Sequence, residues 1–424
     1  MSLITTTKEL KSLCNRLKKS DFITVDTEFI REKTYWARLC LIQVAGDDEE
    51  PYAIDPLADG IDLSPFWEVM LNKEVLKVFH ACRQDLEIFY REMNGKLPTP
   101  LFDTQIAAMV CGFGEQVSYE ALVNSLARKQ IDKSSRFTDW AMRPLTSKQL
   151  KYALADVTHL RKVFLKLADK IEQSKRTAWI KDEMKALTRK ENYVTKPDEA
   201  WERVKVPSNK PRVLAVLKAL AAWREKLAQE ADVPRGRIMK DEALAEISTH
   251  PPTSREALAK MRNISQGFAD SDRALEVLDA VKRGLDMPDD EIPKRELRAQ
   301  LPGGIGPTID LLRVLLKMKC EQAQVAPKLL CTASELEQIA AYGKEADVPA
   351  MKGWRFKLFG EDALRLREGQ MGLGVVNGSL AIITAAPAAE KPANDKPEKT
   401  EKSDKPDKAE KAEKPEKEKQ AASK

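Results

Sequence analysis

The sequence predicts an α/β domain with a mixed sheet, then two all-α domains and a disordered tail. Three observations carry this expectation. Strand-like and helix-like patterns alternate over residues 1–205. Helical periodicity takes over after Pro207 and Pro211 and continues to about residue 380, interrupted by the Pro- and Gly-rich "PDDEIPKRELRAQLPGGIGP". Residues 386–424 repeat Lys, acid and Pro with no large apolar side chain to bury, a composition that stays disordered. At 424 residues and 42% apolar content, the chain is too long for one core and apolar enough to fill several.

The first domain offers strands in "FITVDTEF", "RLCLIQVA" and "PYAID", then a helix in "SPFWEVMLN". A short strand, "LKVFHA", and a helix, "RQDLEIFYREM", follow. A long helix, "TSKQLKYALADVTHLRKVFLKLADKI", opens on Thr146 with Gln149 three residues on, the spacing of a capping box. Its apolar stripe runs Leu150, Ala153, Val157, Leu160, Phe164, Leu167, Ile171. The two later regions look like distant copies. "VLKALAAWREKLAQEADVPRGRIMKDEAL" lies over "LLRVLLKMKCEQAQVAPKLLCTASEL", Val233-Pro234 facing Ala326-Pro327. Each copy has a long helix, a Pro-containing turn and a helix that opens with an acid, an arrangement suited to positioning something.

Several function classes drop out. The N-terminus lacks a basic segment followed by an apolar run, and no stretch approaches the roughly 20 apolar residues that span a bilayer. Six cysteines are scattered without a C-x-x-C pair and there are only three histidines, which argues against a zinc or His-rich centre. The expectation is a cytoplasmic protein with free thiols, no membrane partner and no evident obligate protein partner.

The net charge of +5 hides an asymmetry. Residues 1–127 carry 13 basic against 20 acidic side chains, and residues 128–190 carry 17 against 7. Such a pattern suits a polyanion guided toward a carboxylate cluster, although a charge run by itself is commonly a solvated face.

The carboxylates carry the chemistry. Asp26 and Glu28 lie two apart in "ITVDTEF", so they share one face of a strand, with Thr27 opposite. Like charges in a half-buried site repel and are costly to desolvate, so something positive should meet them. Asp85 stands in the first turn of its helix, where the dipole favours an acid. Tyr152 and Asp156, four apart, share one side of the long helix at the edge of its stripe. Taken singly, Asp85 is a helix-start acid and Tyr152 a half-buried tyrosine.

Together, Asp26-x-Glu28, Asp85 in "HACRQDL" and Tyr152-x-x-x-Asp156 resemble the DEDD superfamily of 3′→5′ exonucleases, in its tyrosine branch. The histidine branch has its His five residues before the last Asp, where this chain has Lys151. "VDTEFIREKTYWARLCLIQVA", "LFDTQIAAMV" and "DWAMRPLTSKQLKYALADVTHL" are similar to blocks of the ribonuclease D family, and the first helical copy resembles its HRDC domain. The resemblance runs from about residue 20 to 380. It implies a ribonuclease H-like exonuclease domain over 1–205, an HRDC domain over 206–290, a second HRDC-like domain over 291–385 and the tail over 386–424.

The resemblance also implies a function. Asp26, Glu28, Asp85 and Asp156 would hold two divalent cations, Mg²⁺ or Mn²⁺, which prefer oxygen ligands. Spaced roughly 3.5–4 Å apart, such ions clamp the attacking and leaving oxygens of an in-line displacement. Asp26 would bridge both, Glu28 and Asp156 would serve one, and Asp85 would hold the other through water. Tyr152, a phenol of pKa about 10, would orient the water rather than act as base. The expected activity is 3′→5′ exoribonuclease action on RNA 3′ ends such as tRNA precursors, releasing nucleoside 5′-monophosphates. A DNA exonuclease and a non-catalytic RNA-binding module are the alternatives.

By the same resemblance Phe29 packs near the terminal nucleotide, or is a core aromatic. His80 supports the strand end beside the site, or is a satisfied structural histidine. Asp139 and Arg143 read as a structural ion pair rather than as contacts to a phosphate. Lys133 and Arg136 sit in a loop that could touch the substrate backbone. Residues 207–284 carry 14 basic against 11 acidic side chains, so a scaffold role competes there with RNA binding.

Overall fold

The computed structural model describes residues 2–47, 50–132, 134–295 and 301–384. The tail expected over 386–424, and Lys133, lie outside the described residues.

The first domain runs β1 (Ser2–Ile4), α1 (Thr7–Leu17), β2 (Phe22–Ile30), β3 (Arg38–Ala45), β4 (Pro51–Ile54), α2 (Ser64–Leu71), β5 (Leu76–Phe79) and α3 (Arg83–Glu92). It continues with β6 (Leu101–Asp103), α4 (Thr104–Val110), α5 (Tyr119–Leu122), α6 (Ser147–Gln173) and α7 (Thr177–Leu187). The six strands form one mixed sheet in the order β1-β4-β3-β2-β5-β6. β2 pairs antiparallel with β3 and parallel with β5, which puts the "VDTEF" strand at the centre. Ile23 and Val25 are fully buried, as expected for a strand paired on both edges. The β2–β3 register shifts between Glu28 and Phe29, and this bulge releases the end of the strand that carries the acids.

α6 opens with the expected capping box: Gln149 N donates to Thr146 Oγ1 at 3.2 Å, and Thr146 N donates to Gln149 Oε1 at 3.0 Å. The helix packs across β2, β3 and β4. One tie fixes it to the central strand. Thr24, on the same face of β2 as Asp26, is fully buried and donates to the Val157 carbonyl at 2.9 Å.

The helical region begins with a 3₁₀ segment, Pro197–Arg203, whose Ala200 and Trp201 join the core with Val204, ahead of residue 206. Next come α8 (Pro211–Glu230), α9 (Arg235–Ile238), α10 (Asp241–Thr249), α11 (Arg255–Ala259), α12 (Gln266–Ala269) and α13 (Asp272–Leu285). The second module repeats the opening as α14 (Gly306–Ala323), α15 (Pro327–Leu330) and α16 (Ala333–Tyr342), the last with its own capping box at Thr332 and Glu335. α17 (Gly353–Arg355) and α18 (Glu361–Arg367) complete its helices. The sequence predicts this module as all-α, but it ends in a β-hairpin. β7 (Met371–Val376) and β8 (Ser379–Thr384) form an antiparallel hairpin. Asn377 and Gly378 both take positive φ, +51° and +78°, as a two-residue Asn-Gly turn requires.

Each module docks on the first domain through the corner that follows its long helix. In the first, Asp232 Oδ1 accepts from the backbone N–H groups of Tyr35 (3.1 Å) and Trp36 (3.0 Å) in the β2–β3 connection. The Tyr35 hydroxyl donates to buried Glu225, which also pairs with Arg235 at 2.9 Å. In the second, Arg176 donates to the carbonyls of Ala323 and Gln324, and Ala326 N donates to Met109 O at 3.0 Å. Trp179 and Trp354 stack there with centroids 4.1 Å apart.

Candidate active site

Three elements bring the sequence-marked acids together. β2 supplies Asp26 and Glu28, the first turn of α3 supplies Asp85, and α6 supplies Tyr152 and Asp156. All five line one cavity of about 630 Å³, which Phe29 and His80 also line. The bulge and the Thr24–Val157 bond set the β2 face against α6, so Asp26 and Asp156 meet across 130 residues of chain.

Asp85 is aimed by two contacts. A left-handed turn at Ala81 (φ +55°) leads from β5 into α3, and buried Asp103 accepts from the N–H groups of Ala81 (3.1 Å) and Cys82 (2.9 Å). The same carboxylate caps α4 through Gln105 N at 2.7 Å. The second contact is the Thr27 hydroxyl, which donates to the Asp85 carboxylate. Thr27, expected to point away from the acids, therefore reaches one of them from the other side of the strand.

The electrostatics follow from crowding and burial. Burial first, then Asp156, Asp85 and Glu28, push the Asp26 carboxyl well above its ordinary range. Burial with Asp156 and Asp85 raises Glu28 to about 9. Burial raises Asp85 to about 6 against the pull of Thr27, and Asp156 to about 7 against the pull of Tyr152. The Tyr152 phenol is itself pushed up, by burial and then by Asp156, Glu28 and Asp26. The four acids thus form an anionic pocket that holds protons it would release to a cation.

Among the described residues no three donors already close on a single point, the four carboxylates standing open around the cavity. Their chemistry still fits hard divalent cations: all the donors are oxygens, and the six cysteines are buried free thiols.

The weaker expectations resolve differently. His80 Nδ1 donates at 3.0 Å to Thr104 Oγ1, whose own proton goes to the Phe79 carbonyl, and burial lowers the imidazole's pKa. Its contacts are those of a satisfied histidine on the cavity wall. Arg143 is structural, but its partner is Asp55 and not Asp139. It grips both Asp55 oxygens, at 2.6 and 2.7 Å, and donates to the Cys40 and Trp140 carbonyls. Asp139 instead accepts from Ala141 N at 2.9 Å. Sequence reasoning missed Thr24, Thr27, Asp103 and Tyr119, whose hydroxyl donates to the Asp156 carbonyl. Of these, only Asp103 carried a local signal, an acid immediately ahead of the helical "TQIAAMV".

Comparison with known proteins gives the family. The 3′-5′ exonuclease family model matches residues 1–172 and the HRDC domain model matches residues 213–281. Ribonuclease D of Nitrobacter hamburgensis is 47% identical over 383 residues, covering 90% of this chain and 99% of that one. The Jannaschia sp. ribonuclease D is 48% identical over 384 residues, covering 90% and 98%. The crystal structure of Escherichia coli RNase D, an exoribonuclease involved in structured RNA processing, superposes with a TM-score of 0.75 at 29% identity. It covers 87% of this chain and 98% of its own. Among the described residues no helix is long and apolar enough to cross a membrane. With a nuclease fold, an HRDC domain behind it and near-complete alignment to these relatives, the chain belongs to the ribonuclease D family of exoribonucleases.

Proposed function

We propose that this exoribonuclease shortens single-stranded RNA 3′ ends, tRNA precursors among them, one nucleoside 5′-monophosphate at a time. In this reading Asp26, Glu28, Asp85 and Asp156 hold two divalent cations, Mg²⁺ or Mn²⁺. The observation that carries it is the convergence of four carboxylates in one cavity, Asp85 and Asp156 buried and Asp26 and Glu28 partly so, with the charges of their neighbours raising the proton affinity of Asp26 and Glu28. When bound, the cations would supply charge that draws the phosphodiester in and steadies the oxygens that gain charge during displacement. The chain's own residues do the rest. Asp26 faces the other three acids, whose charges act on its carboxyl. Thr27 holds Asp85 at a fixed rotamer, and Tyr152 steadies Asp156. Tyr152, with its proton held tightly, works as a hydrogen-bond donor that orients water and not as a general base. Phe29 and His80 wall the space for the terminal nucleotide. We assign the HRDC domain to about 206–290, a second HRDC-like module to about 291–385 and the protein to the cytoplasm, in keeping with its free thiols.

The test is a tRNA with extra 3′ nucleotides, labelled at its 5′ end, alongside a DNA strand of matched sequence. Stepwise shortening of the RNA that needs Mg²⁺ or Mn²⁺ is the expected result. Equal degradation of the DNA would favour the DNA exonuclease, and binding without cleavage would favour the RNA-binding module.

A further inference from the structure

At the mouth of the cavity one side chain is placed against the usual logic of folding. Phe137 is 91% exposed, more than any other large apolar side chain among the described residues. Its loop is not loose. Ser135 and Trp140 on either side are each only 2% exposed. Thr138 donates to the Ser135 carbonyl through its N–H (3.3 Å) and its hydroxyl (2.9 Å), and Gln149 Nε2 donates to Thr138 Oγ1 at 3.2 Å. Gln149 belongs to the capping box of α6, and the Arg143–Asp55 pair pins the loop's far end to the sheet. The ring is therefore held out at the cavity by a loop tied to the helix that carries Tyr152 and Asp156.

Arg136 lies beside it, its guanidinium 5.3 Å from the Phe137 ring centroid. Both line the cavity with Asp26, Glu28, Asp85 and Asp156. The other arginine of the wall, Arg31, is gripped by both Glu87 oxygens at 3.0 and 2.8 Å, whereas Arg136 has no ion-pair partner among the described residues. An arginine that has no ion-pair partner among the described residues, although its charge reaches Glu28, and an exposed aromatic ring, side by side on a hydrogen-bonded loop, match a molecule that alternates anions with flat π surfaces. A single nucleic-acid strand is such a molecule.

We infer that Arg136 and Phe137 form a nucleotide subsite at the mouth of the cavity: Phe137 stacks on the base of a nucleotide just 5′ of the terminal one, and Arg136 meets its phosphate. This rests on the exoribonuclease reading. A cavity of about 630 Å³ lies within the roughly 300–1,000 Å³ of small-ligand sites, so it takes the terminal nucleotide and the strand must leave past this loop. Stacking there is equally strong before and during hydrolysis, so it acts on KM and not on kcat. It also tolerates every base, as an enzyme working along a strand requires.

The experiment is a cycle between enzyme and substrate, using the full chain with Mg²⁺. RNA oligonucleotides carry an abasic residue at the second, third or fourth position from the 3′ end. With wild type, one of these should raise KM by roughly 5- to 100-fold, the range open to a base–aromatic stack. Phe137→Ala should raise KM by a similar factor on intact RNA, with kcat little changed, and should lose nothing further on that abasic RNA. Phe137→Trp should restore the wild-type pattern. Arg136→Ala should flatten the logarithmic dependence of KM on salt by about 0.7, one phosphate on a single strand. Losses that multiply at all three positions, or a Phe137→Ala enzyme with wild-type KM, would overturn the stack, and an unchanged salt slope would overturn the phosphate contact. Intact RNA left whole by wild type would instead remove the nuclease reading, and this subsite with it.

Discussion

The Thr27 hydroxyl donates to the Asp85 carboxylate and so joins the strand of Asp26 and Glu28 to the helix of Asp85. Thr27→Val keeps the shape and the β preference of the position but leaves a buried carboxylate without its donor. A hydrogen bond to a charged group contributes about 1.5–3 kcal/mol, so turnover should fall by roughly 10- to 100-fold. A cation titration is the check: the valine variant should need more Mg²⁺ for half-maximal activity, and Thr27→Ser should stay close to wild type.

Asp26→Asn and Asp156→Asn should each reduce hydrolysis by a factor on the order of 10²–10³ or more while RNA binding survives. Both substitutions keep the side-chain size and remove the charge that would meet a cation. Gel-shift binding measured beside nuclease activity separates the two effects. Chelation of wild type should reproduce the same split, and unchanged turnover in Asp156→Asn would remove that residue from the mechanism.

The raised carboxyls make the cation-free protein sensitive to alkali. A carboxyl that binds its proton more tightly folded than unfolded favours the fold at low pH. That advantage is lost as pH rises from the ordinary carboxylate range through the raised value. For Asp85, Asp156 and Glu28 those values are about 6, about 7 and about 9. In the presence of a chelator, Tm should therefore decline between about pH 5 and pH 9. Mg²⁺ or Mn²⁺ should remove most of the slope by taking the protons' place. Thermal melts across that range, with and without cation, would show it; parallel curves would contradict the clustering of charge.

Asp232 tests the hold between the HRDC domain and the nuclease. Asp232→Ala leaves the Tyr35 and Trp36 N–H groups without their acceptor and places alanine at φ +49°. A loss of about 2–4 kcal/mol is expected in denaturant unfolding. Asp232→Asn should cost far less, because asparagine keeps an acceptor oxygen and tolerates the left-handed region.

Much of this molecule was legible in the chain. The "VDTEF" strand, the capped helix of Tyr152 and Asp156 and the paired Pro turns each carry their signal within a few neighbouring residues, where period and capping can be read. β1 and β6 passed unseen because three residues hold no period. The β7–β8 hairpin was overlooked although Asn377-Gly378 marked its turn. The supports of the site were hidden for a different reason. Thr24, Thr27 and Tyr119 act on partners 133, 58 and 37 residues away, and nothing in their neighbourhood announces it. Arg143 shows the hazard directly: Asp139, close in sequence, was the evident partner, and Asp55, 88 residues away, is the real one.

The two docking corners can fail in different ways. The first relies on a side-chain carboxylate, so one substitution at Asp232 removes two of its hydrogen bonds at once. The second offers main-chain carbonyls of Ala323 and Gln324, which no replacement of those two side chains takes away. Its weak point is on the opposite face, where a Cβ at Gly112 (φ +81°) would stand 2.6 Å from the Gln324 oxygen. Mutational damage should therefore be asymmetric: for one attachment the fragile position belongs to the guest, and for the other it belongs to the host.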